Sequence, residues 1–376
     1  MQIISSEVYM KEKRTLIYLI MISIFLISMM ALLISAESNT KTGAKAFALY
    51  CPQTNTFLAG NNIDIKLPMA STTKIITALV AIERLNLDEY ITVSKEAVGI
   101  EGSSIYLQEG DILTVKDLVY SVLLQSANDA SVVLALKIGG SVEAFAEIMN
   151  ERAREIGAFS THFDNPHGLD SATHYTTAKD LSLIASEALK NEIFKSISST
   201  HKYSFSIGDK TRTLVNHNKL LRNYDGCIGV KTGYTKKCGR CLVSAAEKNG
   251  VRLIAVTLDD PNDWSDHTAL LDSGFQKVKS VDLLSLVSIP DSLPVISGNK
   301  DFIKIAISNN DRYLITNDDV QNIKTDIKLI PYITQATNAG DAVGSLIVKT
   351  ENNTKKIDIL AMEDVSIKRN KTPFIA

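Results

Sequence analysis

The chain has 376 residues with 45% hydrophobic content, enough apolar material for a large core, and its length favours two folded domains over one. Lys and Arg (40) nearly balance Asp and Glu (42), so the net charge of -2 excludes a bulk electrostatic attraction to nucleic acid or to an anionic membrane surface. The apolar content also excludes a disordered chain, and any specificity must come from a local site.

Lys11, Lys13 and Arg14 precede an uncharged stretch over residues 15–36 that ends in small residues before a polar segment. Basic flank, apolar run and polar exit in that order read as a secretory signal. It is either cleaved near Ala36 or retained as an N-terminal membrane anchor, with the rest of the chain outside the cytoplasm. Residues 37–43 follow as a linker. FALYC, PQTN and TFLAG within 46–60 predict a β-hairpin. Residues 71–85 predict a helix buried on every side, because Ile75, Ile76, Ala78, Leu79, Val80, Ala81 and Ile82 leave no polar face. Thr114 and Asp117 form a capping pair ahead of LVYSVLLQ, a break falls at Ser126-Ala127-Asn128, and helices resume over 129–138, 141–156 and 177–190. Strand signals return at 201–207, 211–215 and 227–234, then in CLVSAAE and VRLIAVTL, which the turn Lys248-Asn249-Gly250 joins. Residues 262–275 read as helical. Strands at both ends of this region, pairing in one antiparallel sheet with helices between them, make an α+β domain over 44–280. Pro290 and Pro294 mark a boundary. Beyond it DFIKIAI, RYLIT, IKLIPYI, GSLIVKT and KKIDILAM predict a small β-rich domain over 290–376 without a catalytic constellation.

Three short motifs carry chemistry. Lys74 lies one helical turn after Ser71 at the head of the buried helix, where desolvation by Ile75 and Leu79 favours a neutral amine able to take the serine proton. The Ser71 N–H, at a helix N-terminus, points where an oxyanion would form. The same S-x-x-K spacing occurs at Ser38/Lys41, Ser199/Lys202 and Ser297/Lys300, but each of those lies in a polar or turn-like stretch. The bland alternative is a lysine snorkelling from a helix end. Ser126 and Asn128 sit at the break between two apolar helices, where a hydroxyl and an amide can relay a proton and fix a substrate carbonyl or the lysine amine. Here the bland reading is an N-cap for the helix at Asp129, and S-x-N recurs at Ser297/Asn299 and Ser308/Asn310. Lys231, Thr232 and Gly233 lie in the strand GVKTGY. Lysine and threonine there suit a substrate carboxylate, Gly233 lets a ligand backbone lie close, and the Tyr234 N–H supplies a second oxyanion donor. The decoy Lys41-Thr42-Gly43 has no strand around it.

Cys51, Cys227, Cys238 and Cys241 include one C-x-x-C, which is compatible with half a zinc site, a disulfide or unpaired thiols; with no second C-x-x-C and no H-E-x-x-H, unpaired thiols are the expectation, and no metal or cofactor is called for.

Taken jointly, the order 71, 126, 231 resembles the penicillin-recognising serine acyltransferases. Within them PMASTTKIITA, GSSIYL, LLQSANDAS, MNERAREIGA, FDNPHGLD, HYTTAKDL and GVKTGYTKKCGRCLVSAA are similar to the D-alanyl-D-alanine carboxypeptidases of serine peptidase family S11, nearest to the sporulation-type enzymes. The resemblance implies a β-lactamase/transpeptidase-like domain followed by that family's β-rich domain. It further implies that Ser71 attacks between the terminal D-alanines of a peptidoglycan stem peptide, with Lys74 as base and Ser126 as proton relay. Asn128 positions, Lys231 and Thr232 hold the terminal carboxylate, and the N–H groups of Ser71 and Tyr234 form the oxyanion hole. β-Lactams would acylate Ser71 as covalent inhibitors. The family usually ends in an amphipathic membrane-binding helix, and TPFIA is not one, so any attachment is expected from residues 15–36. A class A β-lactamase would need a deacylating glutamate, and the E-x-x-x-N available, Glu187 to Asn191, reads as the end of a helix. A catalytically silent wall-binding protein would be expected to lose Ser71 or Lys74. A Ser-His-Asp hydrolase finds no G-x-S-x-G, and His167 and His174 read as structural loop residues.

Overall fold

The computed structural model describes residues 41–282, 287–308, 312–317, 322–350 and 353–367. The expected signal or anchor over 1–36, most of the 37–43 linker and the TPFIA terminus lie outside the described residues. Among the described residues no helix is long and apolar enough to cross a membrane.

Strands β1 (Ala46–Cys51) and β2 (Thr56–Asn61) form the expected hairpin. A 3₁₀ turn over Ala70–Thr73 then leads into α1 (Lys74–Arg84), every residue of which from Lys74 to Ile82 is buried. Ser71 therefore sits in the tight turn before the helix rather than as its first residue. Two short strands that the sequence pattern did not signal, β3 (Tyr90–Thr92) and β4 (Ile112–Thr114), pair ahead of α2 (Val115–Leu124). Thr114 and Asp117 cap α2 reciprocally, as their spacing requires. Next come α3 (Asn128–Gly139), α4 (Val142–Ile156), α5 (Ala178–Ala188) and the unforeseen α6 (Glu192–Ser198). Strands β5 (Lys202–Ile207) and β6 (Lys210–Val215) pair only with each other, and so stand apart from the main sheet that the strand pattern placed them in. After a single turn, α7 (Leu220–Asn223), come β7 (Cys227–Thr235), β8 (Gly239–Lys248), β9 (Val251–Leu258) and α8 (Asp263–Lys277).

The main sheet has the antiparallel order β2-β1-β9-β8-β7, which leaves β7 at an edge. Both faces are covered. Ala46, Ala48, Tyr50, Val243, Ile254 and Val256 join the core shared with α1 to α6, while Phe47, Leu49, Leu242, Leu253 and Ala255 pack toward Leu270 and Leu271 of α8. A strand with two apolar faces loses its polar alternation, which is why β1 is buried at all six positions.

At the end of the expected 44–280 domain, strand β10 (Val278–Asp282) runs straight on from α8 and pairs with β13 (Arg312–Thr316), which belongs to the expected β-rich region. Its own five-stranded sheet, of order β11-β12-β16-β15-β14, combines β11 (Ser292–Pro294), β12 (Phe302–Ile307), β14 (Lys324–Leu329), β15 (Ala342–Lys349) and β16 (Thr354–Ala361).

Candidate active site

Lys74 is fully buried, and its Nζ reaches three oxygens: Asn128 Oδ1 at 2.6 Å, the His167 carbonyl at 2.6 Å and Ser71 Oγ at 2.9 Å. Burial first, then the charge of Lys231, pushes its pKa well below the ordinary lysine value, against a smaller opposing pull from Asp129. A neutral amine carries two N–H donors and one lone pair. The amide oxygen and the carbonyl can only accept, so they take both donors, and the lone pair is left facing the Ser71 hydroxyl. Asn128 cannot present its nitrogen to the lysine instead, because its Nδ2 donates to the Glu101 carbonyl at 2.5 Å. Asn128, expected among the substrate contacts, thus spends both ends of its amide on protein groups and holds the lysine.

The loop over 163–170 supplies the floor of the site. Asn165 Oδ1 accepts from the N–H groups of His167 and Gly168, which turns the His167 carbonyl toward the lysine. Gly168 has φ +88, and a Cβ there would stand 1.9 Å from the Ala70 carbonyl, so no other residue fits under the Ser71 turn. Thr77 ties α1 to the same loop through the Pro166 carbonyl at 2.6 Å. His174 accepts from the Asp164 N–H through Nδ1, so Nε2 carries the proton of the neutral ring and donates to Thr73 Oγ1 at 2.8 Å. Burial holds the His174 pKa down to about 4 and that of His167 to about 3, consistent with neutral structural rings rather than catalytic bases. Asp129 clamps the facing loop by accepting from Ser104 Oγ and from the N–H groups of Ile105 and Leu107.

Ser126 lies in the break between α2 and α3 with φ +60, a strained conformation for a residue with a side chain. The residue capping α3 is Ala127, which offers no side-chain bond, so the Ser126 hydroxyl is not spent on a cap. It lines a cavity of about 280 Å³ together with Ser71, Ser103, His217, Thr232, Gly233, Tyr234, Arg240, Asp263 and Trp264. Edge strand β7 forms one wall. A Cβ on Gly233 would come 3.0 Å from Ser71 N and 3.1 Å from the Met69 carbonyl, so only glycine lets the strand lie this close to the turn. The Thr232 carbonyl accepts from Lys231 Nζ at 2.8 Å. That carbonyl therefore faces the free edge, and Tyr234, two residues on, presents its N–H to the same edge. Lys231 is buried at 1% exposure, and desolvation lowers its pKa to about 7.

A family model described as D-alanyl-D-alanine carboxypeptidase, Peptidase S11, matches residues 34–262, well over half of the chain. The chain belongs to this family. Its activity is that of a penicillin-binding D-alanyl-D-alanine carboxypeptidase, and a second model, the C-terminal domain of penicillin-binding protein 5, matches residues 280–366. The carboxypeptidase is 33% identical to D-alanyl-D-alanine carboxypeptidase DacF of Bacillus subtilis over 88% of its own length and 87% of that protein's. Among solved structures it resembles penicillin-binding protein 5 of Haemophilus influenzae, at TM-score 0.65 and 26% identity over 87% of this chain and 98% of that one. It also resembles the DD-transpeptidase of Streptomyces K15, at TM-score 0.60 and 35% identity over 63% of this chain and 98% of that one. The family's two-domain build fits the observed sheets, with the second match beginning at 280, inside β10.

Several residues of this candidate site escaped the sequence reading. Arg240 and Asp263 form an ion pair at 2.9 Å on the cavity wall, and Trp264 beside them buries an indole N–H that has no acceptor among the described residues. His217 also lines the cavity, with its pKa lowered by burial and by Lys231. The one signal available for Arg240 was its place next to the turn of the β7–β8 hairpin, a single cross-strand step from Tyr234.

Proposed function

We propose that this carboxypeptidase works through a serine acyl-enzyme. Ser71 attacks the carbonyl between the two terminal D-alanines of a peptidoglycan stem peptide, and Lys74 takes its proton. The observation that carries this reading is the hydrogen-bond arithmetic at Lys74: two acceptors at 2.6 Å use its donors and direct its lone pair at Ser71 Oγ, 2.9 Å away. The oxyanion is stabilised by the N–H groups of Ser71 and Tyr234. Ser126 passes the proton on to the leaving D-alanine, and Lys231, close enough to lower the Lys74 pKa, keeps the region electropositive.

The terminal carboxylate is held by the Thr232 hydroxyl and by Arg240, the permanently charged cation on the cavity wall. Lys231 contributes its field rather than a direct contact, since it is buried behind the residues that line the cavity, with its Nζ donating to the Thr232 carbonyl. The substrate lies along the free edge of β7 as an added strand. Hydrolysis by water completes turnover, and a β-lactam enters the same cavity and leaves Ser71 acylated. This chemistry takes place outside the cytoplasm, delivered there by residues 15–36.

The β-lactamase alternative lacks its second base. Glu187 is in α5 and is bound to Arg152 at 3.1 Å and to Lys190 at 2.7 Å, outside the residues that line the cavity. Labelling with fluorescent penicillin, run beside D-alanine release from a D-Ala-D-Ala-terminated peptide, tests the proposal. Wild type should do both, Ser71→Ala and Lys74→Ala neither, and equal labelling of Ser71→Ala would end it.

A further inference from the structure

The pair Cys238 and Cys241 has no part in the chemistry above, yet it is built into the wall of the site. Both thiols are buried, with their sulfurs 3.7 Å apart in the β7–β8 hairpin. Cys241 is the cross-strand partner of Gly233, whose missing Cβ marks the 3.0 Å approach to Ser71 N. Its Sγ also lies 3.9 Å from the Pro68 carbonyl, three residues ahead of Ser71. Cys241 thus touches both the strand and the segment that leads into the turn whose spacing sets the oxyanion donors. The remaining cysteines do not share this position: Cys51 ends β1 in the cluster on the α8 side, and Cys227 opens β7 at its far end.

We propose that Cys238 and Cys241 form a thiol–disulfide exchange site for low-molecular-weight disulfides, and that closing it shifts the Gly233–Tyr234 segment away from Ser71 and slows acylation. The second half rests on the reading of Ser71 as the nucleophile. The two thiols already divide the labour such an exchange needs. A hydrogen bond from Cys241 lowers Cys238 to about 7 against its burial, while the same bond, with burial, pushes Cys241 well above the usual thiol value. The Cys238 thiolate attacks one sulfur of the disulfide and expels a thiolate. Cys241 then loses its proton to that thiolate and attacks Cys238 Sγ, which expels the second half of the oxidant as a thiolate that solvent protonates. Two protein thiols are oxidised and one external disulfide is reduced to two thiols. A disulfide requires about 2.05 Å between sulfurs, so they must approach by roughly 1.7 Å. That movement is comparable to the displacement of about 1 Å that can cost 10²-fold in a positioned active site. Access requires local opening of the hairpin turn at the exposed Lys236 and Lys237, so the reaction should be slow.

The test uses the full chain. One portion of reduced protein is labelled with fluorescent penicillin as the control; a second is incubated with oxidised glutathione, followed by intact mass and peptide mapping, and then labelled. The expected result is loss of the mass of two hydrogen atoms, a bond mapped between Cys238 and Cys241, and an acylation rate at least tenfold lower that dithiothreitol restores. A Cys51→Ala/Cys227→Ala double variant should respond like wild type, and Cys238→Ala and Cys241→Ala should keep the reduced rate in oxidant. A mapped bond with an unchanged acylation rate overturns the coupling. Failure to form the bond overturns the site, and equal slowing of Cys241→Ala, where Cys238 can form only a mixed disulfide, overturns closure of the pair as the cause. Loss of labelling in the reduced control would instead sink the Ser71 reading, and the mass measurement would still decide the exchange site.

Discussion

The two sheets of this protein treat charge in opposite ways. In the C-terminal sheet, β12 alternates exposed Phe302 and Lys304 with buried Ile303 and Ile305, and β16 leaves Lys356 and Asp358 outside while Ile357 and Ile359 go in. Lys304 and Lys356 both take the wet face there. In the catalytic region Lys74 and Lys231 are both among the largest fully buried side chains, one heading a helix and one in an edge strand. Burying an ammonium is unfavourable unless its pKa falls or its donors are matched, and both happen here. On the proposed function, the difference between the regions separates a sheet that keeps its charges in water from a site that buries an amine to keep it uncharged.

The largest effects should come from removing that amine or its target. Ser71→Ala should abolish penicillin labelling and D-alanine release, a fall of roughly 10⁴-fold or more measured by peptide hydrolysis. Lys74→Arg replaces the neutral amine with a cation that does not deprotonate, so acylation should fall about 10³-fold. For wild type the sign is set by the free base. Acylation should rise with pH through the lowered Lys74 pKa, and a rate independent of pH on the acid side would contradict Lys74 as base.

Gly233→Ala comes next. The added Cβ would press to 3.0 Å on Ser71 N and 3.1 Å on the Met69 carbonyl, both backbone, which cannot swing away. A tenfold to hundredfold slower acylation with an almost unchanged thermal midpoint is expected, since a small shift of positioned groups is costly to rate. Labelling at the wild-type rate would show that the strand can move off the turn freely.

Much of this contrast was legible in the sequence. An apolar run with one lysine at its head announces a buried helix, and S-x-x-K, S-x-N and K-T-G stood out because only one copy of each lay in a packed element. The second-domain alternation was equally plain in DFIKIAI and KKIDILAM. What failed to show was the 3₁₀ turn under Ser71, because residues 70–73 carry the same pattern either way. The β5–β6 ribbon outside the main sheet was hidden for a related reason: periodicity tells a strand from a helix but not one sheet from another. The Asn128 clamp and the His167 carbonyl depend on loops folding back over many residues, and no local spacing encodes a backbone carbonyl as a ligand.

Lys231 allows the stability side of the comparison to be measured. An unfolded lysine holds its proton to about 10.5, and the folded one only to about 7. Between those limits unfolding takes up a proton, so stability rises with pH, and below 7 the unfavourable term is complete. A depression of this size corresponds to roughly 5 kcal/mol at most. Lys231→Met should therefore melt several degrees above wild type at pH 6 by calorimetry while losing activity, and the gap should close toward pH 10. A variant less stable than wild type at pH 6 would mean that Lys231 is held by favourable partners rather than tolerated.

The smallest effect serves as the control for that measurement. Lys356 in β16 is exposed and faces Asp358 at 3.8 Å, a surface pair of the kind that contributes between about 0 and 1 kcal/mol. Lys356→Met removes the same ammonium and adds the same thioether, but no desolvated charge is relieved. Its melting temperature should stay within the range that corresponds to about 0.5 kcal/mol, with full activity. If Lys356→Met instead rose as far as Lys231→Met, the gain would belong to methionine replacing lysine in any strand. Burial of a charge would then no longer distinguish the catalytic sheet from its neighbour.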